Sequence, residues 1–181
     1  MTLPELLTAM AILGFVLSGV LAVYVGGLRA TTDLNERFQA QQNARLALVS
    51  IRTDIRAACS ESVATGGMSV TLNEPDPTNG CGSPTQDTWC VSSSTGTAPY
   101  GLYRQTGGSC AWSTGVQKAS QLTTKNGTVT IFAAASVGVT GTRPQLAVTL
   151  PVDANLSSSQ AANQGLYTLS DTMTLRNAAV Q

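Results

Sequence analysis

The sequence predicts an α+β protein, with one long N-terminal α-helix packed on an antiparallel β-sheet head. Three observations point there. No proline falls between Pro4 and Pro75, and no glycine between Leu28 and Gly66. Apolar residues recur at helical intervals as far as Ile55. Past residue 60 the pattern turns to short alternating runs separated by Gly, Asn, Ser and Pro.

The helix is expected from about residue 2 to about residue 58. Thr2 can cap its first turn, and Pro4 is tolerated there because that turn has no N–H partner to lose. Glu5 lies where a negative charge suits the helix dipole. From Leu6 to Leu28 no residue is charged, and a helical segment of that length spans roughly 34 Å, enough to cross a bilayer core. After Arg29 the helix becomes amphipathic. Leu34, Phe38, Leu48, Ile51 and Ile55 are its apolar positions, and Arg37, Arg45, Arg52 and Arg56 mark other faces. The chain therefore divides into residues 1–28, apolar all round; residues 29–60, the amphipathic half of the same helix; and residues 61–181, a β-rich head.

A secretory signal peptide would place positive charge before the apolar run and a small-residue cleavage site after it. Here Met-Thr-Leu-Pro-Glu precedes the run, and the first positive charge, Arg29, follows it. A plain anchor accounts for the run but leaves Glu5 unexplained, except as a residue lying among lipid headgroups. An ionised carboxylate is costly in lipid.

In the head, strands are expected at Met68–Leu72, Thr88–Ser92, Pro99–Arg104, Cys110–Trp112, Thr128–Ala133, Gln145–Leu150 and Leu166–Leu175. The second and third flank Ser-Thr-Gly-Thr-Ala and read as a hairpin. Lys125-Asn126-Gly127 is a turn signal. Asn73–Gly82 and Asn155–Gly165 read as loops. Val129, Ile131 and Ala133 are expected on one face, as are Leu146, Val148 and Leu150. Such alternation suits a sheet with one face on the helix.

The four cysteines, Cys59, Cys81, Cys90 and Cys110, contain no close pair, and a zinc site without histidine would need all four as thiolates. Two disulfides are the better reading, and they imply folding outside the cytoplasm. Of three possible pairings, Cys59–Cys81 with Cys90–Cys110 joins near neighbours in sequence. The chain has no histidine, which removes the commonest general base and metal ligand. Ten basic residues balance ten acidic ones, against a basic nucleic-acid surface. Arg104, Lys118, Lys125 and Arg143 are scattered, so no nucleic acid is expected as a partner. Asn73, Glu74, Asp76 and Asn79 carry oxygens suited to calcium but do not meet the EF-hand pattern, and a solvated turn is the simpler reading. Two glycosylation triplets, at Asn126 and Asn155, are of a kind that arises by chance in Ser/Thr-rich chains. Glycans on Ser92–Thr95 or Ser157–Ser159 have no stronger signal. Trp89, Tyr100, Tyr103 and Trp112 are read as packing near the disulfides. No catalytic residue, metal or cofactor is expected.

Thr2-Leu3-Pro4-Glu5-Leu6-Leu7, followed by Ala9, Ala11, Ile12, Leu13 and Gly14, resembles the N-terminus of the type IV pilin superfamily. Mature chains of that family begin with Phe or Met, then Thr-Leu-x-Glu-Leu. The resemblance covers about 14 residues by motif and, through the helix, about the first 58. It implies a filament subunit made by a prepilin peptidase, with Met1 as the cut and methylated end. It also implies storage in the bacterial inner membrane, delivery by a pilus assembly machinery, and a filament of many copies at the cell surface. Glu5 of one subunit would pair with the N-terminal amine, at Met1, of a neighbour. Gly14, Gly19, Gly26 and Gly27 are weak points at which the helix would melt in a filament; the alternative is close packing through small residues. Many pilins have proline near position 22, where this chain has Ala22.

The order of later motifs adds to the likeness. Asp87-Thr88-Trp89-Cys90-Val91, the YGLYR strand ending at Arg104, and Thr172–Asn177 (TMTLRN) are similar in order to segments of W-type minor pilins and J-type minor pseudopilins. The expected function is a main structural subunit. The alternatives are a minor pilin or pseudopilin at the tip of a pilus, secretion or DNA-uptake filament, and a membrane-anchored ectodomain that never polymerises.

Overall fold

The computed structural model describes residues 3–92, 100–110, 113–123, 130–135, 143–153 and 166–178. The chain forms two compact units, Met1–Glu36 and Arg37–Gln181. Helix α1, Leu3–Ala57, supplies the described residues of the first and the spine of the second.

Within the second unit, Ala40, Ala44, Ala47, Leu48, Ile51 and Ile55 are the buried residues of α1. They recur at three- and four-residue steps and form one stripe. Alanines make up its first half, and the larger side chains lie nearer the C-terminal end of α1. Phe38, expected to be an apolar position of this face, is exposed, and so is Leu34 of the first unit. Phe38 is two positions from Ala40, about 200° around the helix, so it points away from the sheet. The buried stripe is invisible to a search for large hydrophobes because alanine makes half of it.

The helix stops without glycine. Ala58 N–H still donates to Asp54 O at 2.9 Å, and Cys59 N–H then donates to Asn73 O at 2.7 Å, so the chain peels into the sheet. The last carbonyls are capped by the distant C-terminal segment: Asn177 Nδ2 donates to Ala57 O at 2.7 Å, and Arg176 N–H to Arg56 O at 3.3 Å.

The strands are β1 Ser60–Val63, β2 Ser69–Asp76, β3 Gly80–Ser92, β4 Tyr100–Thr106, β5 Val116–Leu122, β6 Phe132–Ala134, β7 Gln145–Asp153 and β8 Leu166–Thr174. They make one sheet in the order β1-β2-β3-β4-β5-β7-β6, with β8 also on β7, and every described pairing is antiparallel. One face covers the helix stripe, so Trp89, Leu102, Leu122, Phe132, Leu146, Val148 and Leu150 join Ile51 and Ile55 in a single core.

Several expectations are corrected. Asn73–Gly82 is mostly strand, with only residues 77–79 turning between β2 and β3. Pro75 argued against a strand, but it sits at a register shift between Glu74 and Asp76, where a ladder N–H is not required. Asp76 closes the turn by accepting from Thr78 N–H at 2.8 Å and Asn79 N–H at 3.1 Å. Cys110 is not in a strand. Ile131 and Phe132 are both buried and Ala133 is exposed, so the expected shared face of Ile131 and Ala133 is not formed. Strands β1 and β5 have no expectation above because neither alternates cleanly. β1 is Ser-Glu-Ser-Val, and β5 carries a bulge with Gln121 at φ 61°. The expected pairing of the YGLYR strand does form, with Ser92 opposite Gly101. The connecting Ser-Thr-Gly-Thr-Ala, Trp112, the turn at Lys125–Gly127, the loop 155–165 and both glycosylation triplets lie outside the described residues.

The sheet curls, and Gly67 fastens the curl. Its carbonyl accepts from both Ile131 N–H (3.0 Å) and Phe132 N–H (2.9 Å), joining the β1–β2 turn to β6. Gly67 has φ 67°, and a Cβ there would stand 2.5 Å from Phe132 O. Gly67→Ala is therefore expected to lower stability by about 2 kcal/mol, from backbone strain and a shifted β6. The measurement is the urea midpoint of the full chain in detergent, and an unchanged midpoint would contradict this closure.

Candidate functional site

The first unit presents an apolar helix. Leu6, Leu7, Met10, Ile12, Leu13, Phe15, Val16, Leu17, Val20, Leu21, Val23, Tyr24 and Leu28 are each at least 50 % exposed. The helix contains a window of mean hydropathy 2.4, none of it buried. It is long and apolar enough to cross a membrane. Its hydroxyls suit such surroundings. Thr8 Oγ1 donates to Pro4 O or Glu5 O, Ser18 Oγ to Phe15 O, and Thr31 and Thr32 Oγ1 to Leu28 O. A polar group satisfied within its own helix has little desolvation left to lose in lipid.

Glu5 lies in the first turn, exposed, at the head of this surface. Met1, its expected partner in another copy, lies outside the described residues. Gly14, Gly19, Gly26 and Gly27 are all helical, and a Cβ at any of them would meet nothing within 4 Å. The helix is unbroken through all four in the single chain. At Gly19 the missing side chain leaves an apolar hollow bordered by Phe15, Val16, Val20, Val23 and Tyr24.

The second unit contains a charged cluster with no counterpart among the expected site residues. Arg104 on β4 meets three carboxylates. Its Nε is 3.0 Å from Asp54 Oδ2 on α1, without the alignment of a hydrogen bond. Its Nη2 is 2.6 Å from Asp87 Oδ2 on β3 and 3.4 Å from Glu74 Oε1 on β2. The buried Trp89 indole donates from Nε1 to Asp54 Oδ2 at 2.9 Å. Burial pushes the Asp54 carboxyl above its ordinary range, against the pull of Arg104 and Trp89. Glu74 is raised by burial and then by the charges of Asp54 and Asp87. Burial works against the Arg104 charge, yet the three carboxylates hold its pKa above the ordinary value. The cluster ties α1 to three strands. The sequence carried one usable signal: Asp54 lies between Ile51 and Ile55, at the edge of the buried stripe.

Disulfides join Cys59 to Cys81 and Cys90 to Cys110. The first pins the end of the β2–β3 hairpin to the residue pair that follows α1. The second fastens buried Cys90 of β3 to the chain beyond β4. Closing loops of this length stabilises a fold by about 3 kcal/mol per bridge in the chain-entropy account.

The other weighed residues separate. Asn73 Nδ2 donates to Ser60 Oγ (2.7 Å), Glu74 turns to Arg104, and Asp76 closes its own turn, so the suggested calcium oxygens do not converge. Among the described residues no group of three His, Cys, Asp or Glu side chains is arranged to hold a metal. Tyr103 lies over Gly101, where a Cβ would be 2.6 Å from its ring, and Tyr100 packs on the core. Arg143 Nη1 donates to Arg176 O, while Lys125 lies outside the described residues. No protein-family model, curated protein or solved structure matches this chain.

Proposed function

We propose that this chain is a structural subunit of an extracellular type IV pilus, held in the inner membrane of a bacterium and then polymerised through its N-terminal helix. The observation that carries the reading is the composition of α1. Its first part is apolar on every side and exposed, with one acid at its head, and its last part is the spine of a disulfide-bonded sheet. Lipid can cover such a surface in storage, and the helices of other copies can cover it in a filament. Hydrophobic burial along Leu6–Leu28 would drive assembly, at about 25 cal/mol per Å² of apolar area covered. Pairing of Glu5 with the amine at Met1 of a neighbour would set the axial register. Neither catalysis nor a cofactor is needed.

A second reading is a minor subunit at a filament tip, and the order of the motifs around Asp87, Arg104 and Asn177 favours it. In the fold these motifs hold the head together: Asp87 and Arg104 join the charged cluster, and Asn177 caps α1. That work is needed in either position. Quantitative mass spectrometry of sheared surface filaments separates the two. The main-subunit reading expects this chain to be the most abundant polypeptide, beginning at a methylated Met1. Trace abundance would transfer it to the tip, and absence from filaments would leave only the anchored ectodomain.

A further inference from the structure

The charged cluster holds more acid than base. Asp54 from α1, Glu74 from β2 and Asp87 from β3 face one guanidinium, from β4, and Lys118 of β5 adds a weaker positive pull on Asp54. Asp54 and Asp87 side chains are 13 % exposed and Glu74 is 24 % exposed, so water screens the surplus negative charge poorly. The three acids are not equally served. Asp54 has the Trp89 indole as well as Arg104, and Asp87 takes the short contact to Arg104 Nη2. Glu74 reaches that same nitrogen only at 3.4 Å, which places its oxygen within about 6 Å of Asp87 Oδ2.

We infer that Glu74 is a proton-uptake site that tightens the head, and its hold on α1, in mildly acidic surroundings. Protonation at Glu74 removes the worst-paired charge and leaves Arg104 to Asp54 and Asp87. The direction follows from linkage. A carboxyl whose pKa is higher folded than unfolded binds more protons in the folded state, so stability rises as pH falls through the folded value. This is opposite to ordinary acid denaturation, and it holds whether or not the chain forms filaments. Asp54 within the cluster and Glu61 on β1, both also raised by burial, act in the same direction, while Asp76, lowered by its turn contacts, acts against it.

The test is urea unfolding of the full chain in detergent micelles at about pH 8 and about pH 5, for wild type, Glu74→Gln and Glu61→Gln. The wild-type midpoint is expected to rise on acidification. Glu74→Gln, which mimics the protonated acid, should be at least as stable as wild type at pH 8 although it removes an ion pair. Its gain on acidification should be smaller than that of wild type, and Glu61→Gln should keep the part due to Glu74. A Glu74→Gln chain that is weaker than wild type at pH 8, or that keeps the full pH response, would overturn the inference. If the variant does not fold, a carboxyl-carbon NMR titration of the wild type decides. Glu74 must titrate above the ordinary glutamate range, and a value at or below that range would overturn the inference.

Discussion

Glu5→Ala is expected to abolish filaments while leaving the head folded and the chain in the membrane. In lipid the variant is spared the cost of an ionised acid, about 3 kcal/mol at the centre of a bilayer and less toward its edge. In the filament it would leave a neighbour's amine without its counter-charge inside apolar packing, which costs several kcal/mol for a desolvated ion. Each 1.4 kcal/mol is a factor of ten in a contact equilibrium, so a loss of about 3 kcal/mol weakens every subunit contact by more than a hundredfold. The effect compounds along a polymer. Electron microscopy and shearing yield would measure it in a strain whose only copy is the variant, with membrane extraction and the unfolding midpoint as controls. Normal filament yield would refute the register argument. A low yield with a misfolded head would instead point to a role within the chain.

Arg104→Met is expected to destabilise the head strongly at neutral pH, by about 3 kcal/mol. Removing one partner of a buried charged group costs roughly 3–5 kcal/mol. The guanidinium is 34 % exposed, so solvent screening places this case at the low end. Three carboxylates would then share a half-buried site without the cation that touches them all. The pKa values of Asp54 and Glu74, already raised by burial, would rise further in the folded state, so the variant should recover as pH falls through those values toward the ordinary carboxylate range. The deficit against wild type should therefore be large at about pH 8 and small at about pH 4.5, as read by urea unfolding. A deficit independent of pH would show that Arg104 acts by packing its aliphatic stem, and that the cluster is not electrostatically coupled.

The motifs similar to those of minor subunits acquire a physical meaning in this fold. The DTWCV run supplies Asp87, Trp89 and a disulfide cysteine, YGLYR supplies Arg104, and TMTLRN supplies the cap on Ala57. They are far apart in sequence and work as one joint, because β3 and β4 are neighbours and the C-terminal segment runs past the end of α1. Such segments can recur together for reasons of folding, whatever the head touches.

Much of the architecture was legible in the residues. The lack of proline after Pro4 and of glycine after Gly27 announced α1, and strict alternation announced β7, with Leu146, Val148 and Leu150 buried as expected. The hairpin tip was misread because proline and glycine usually mark loops, and only the bulge at Glu74–Asp76 shows that a ladder can absorb them. β1 was missed because three of its four residues are polar, and they are a strand by virtue of pairing with β2, not by pattern. Ala40, Ala44 and Ala47 carried no signal because small residues are equally at home inside and outside.

By itself the sequence determined the α+β class, the apolar segment with Glu5 at its head, and the use of the four cysteines in disulfides. These are properties of local composition and spacing, which need no knowledge of what lies opposite. Only the tertiary structure decided that Asp54, Glu74, Asp87 and Arg104 meet, that Gly67 fastens the curl, and that Asn177 ends the helix. Each depends on residues brought together from distant parts of the chain, and strand register, not sequence spacing, sets those distances.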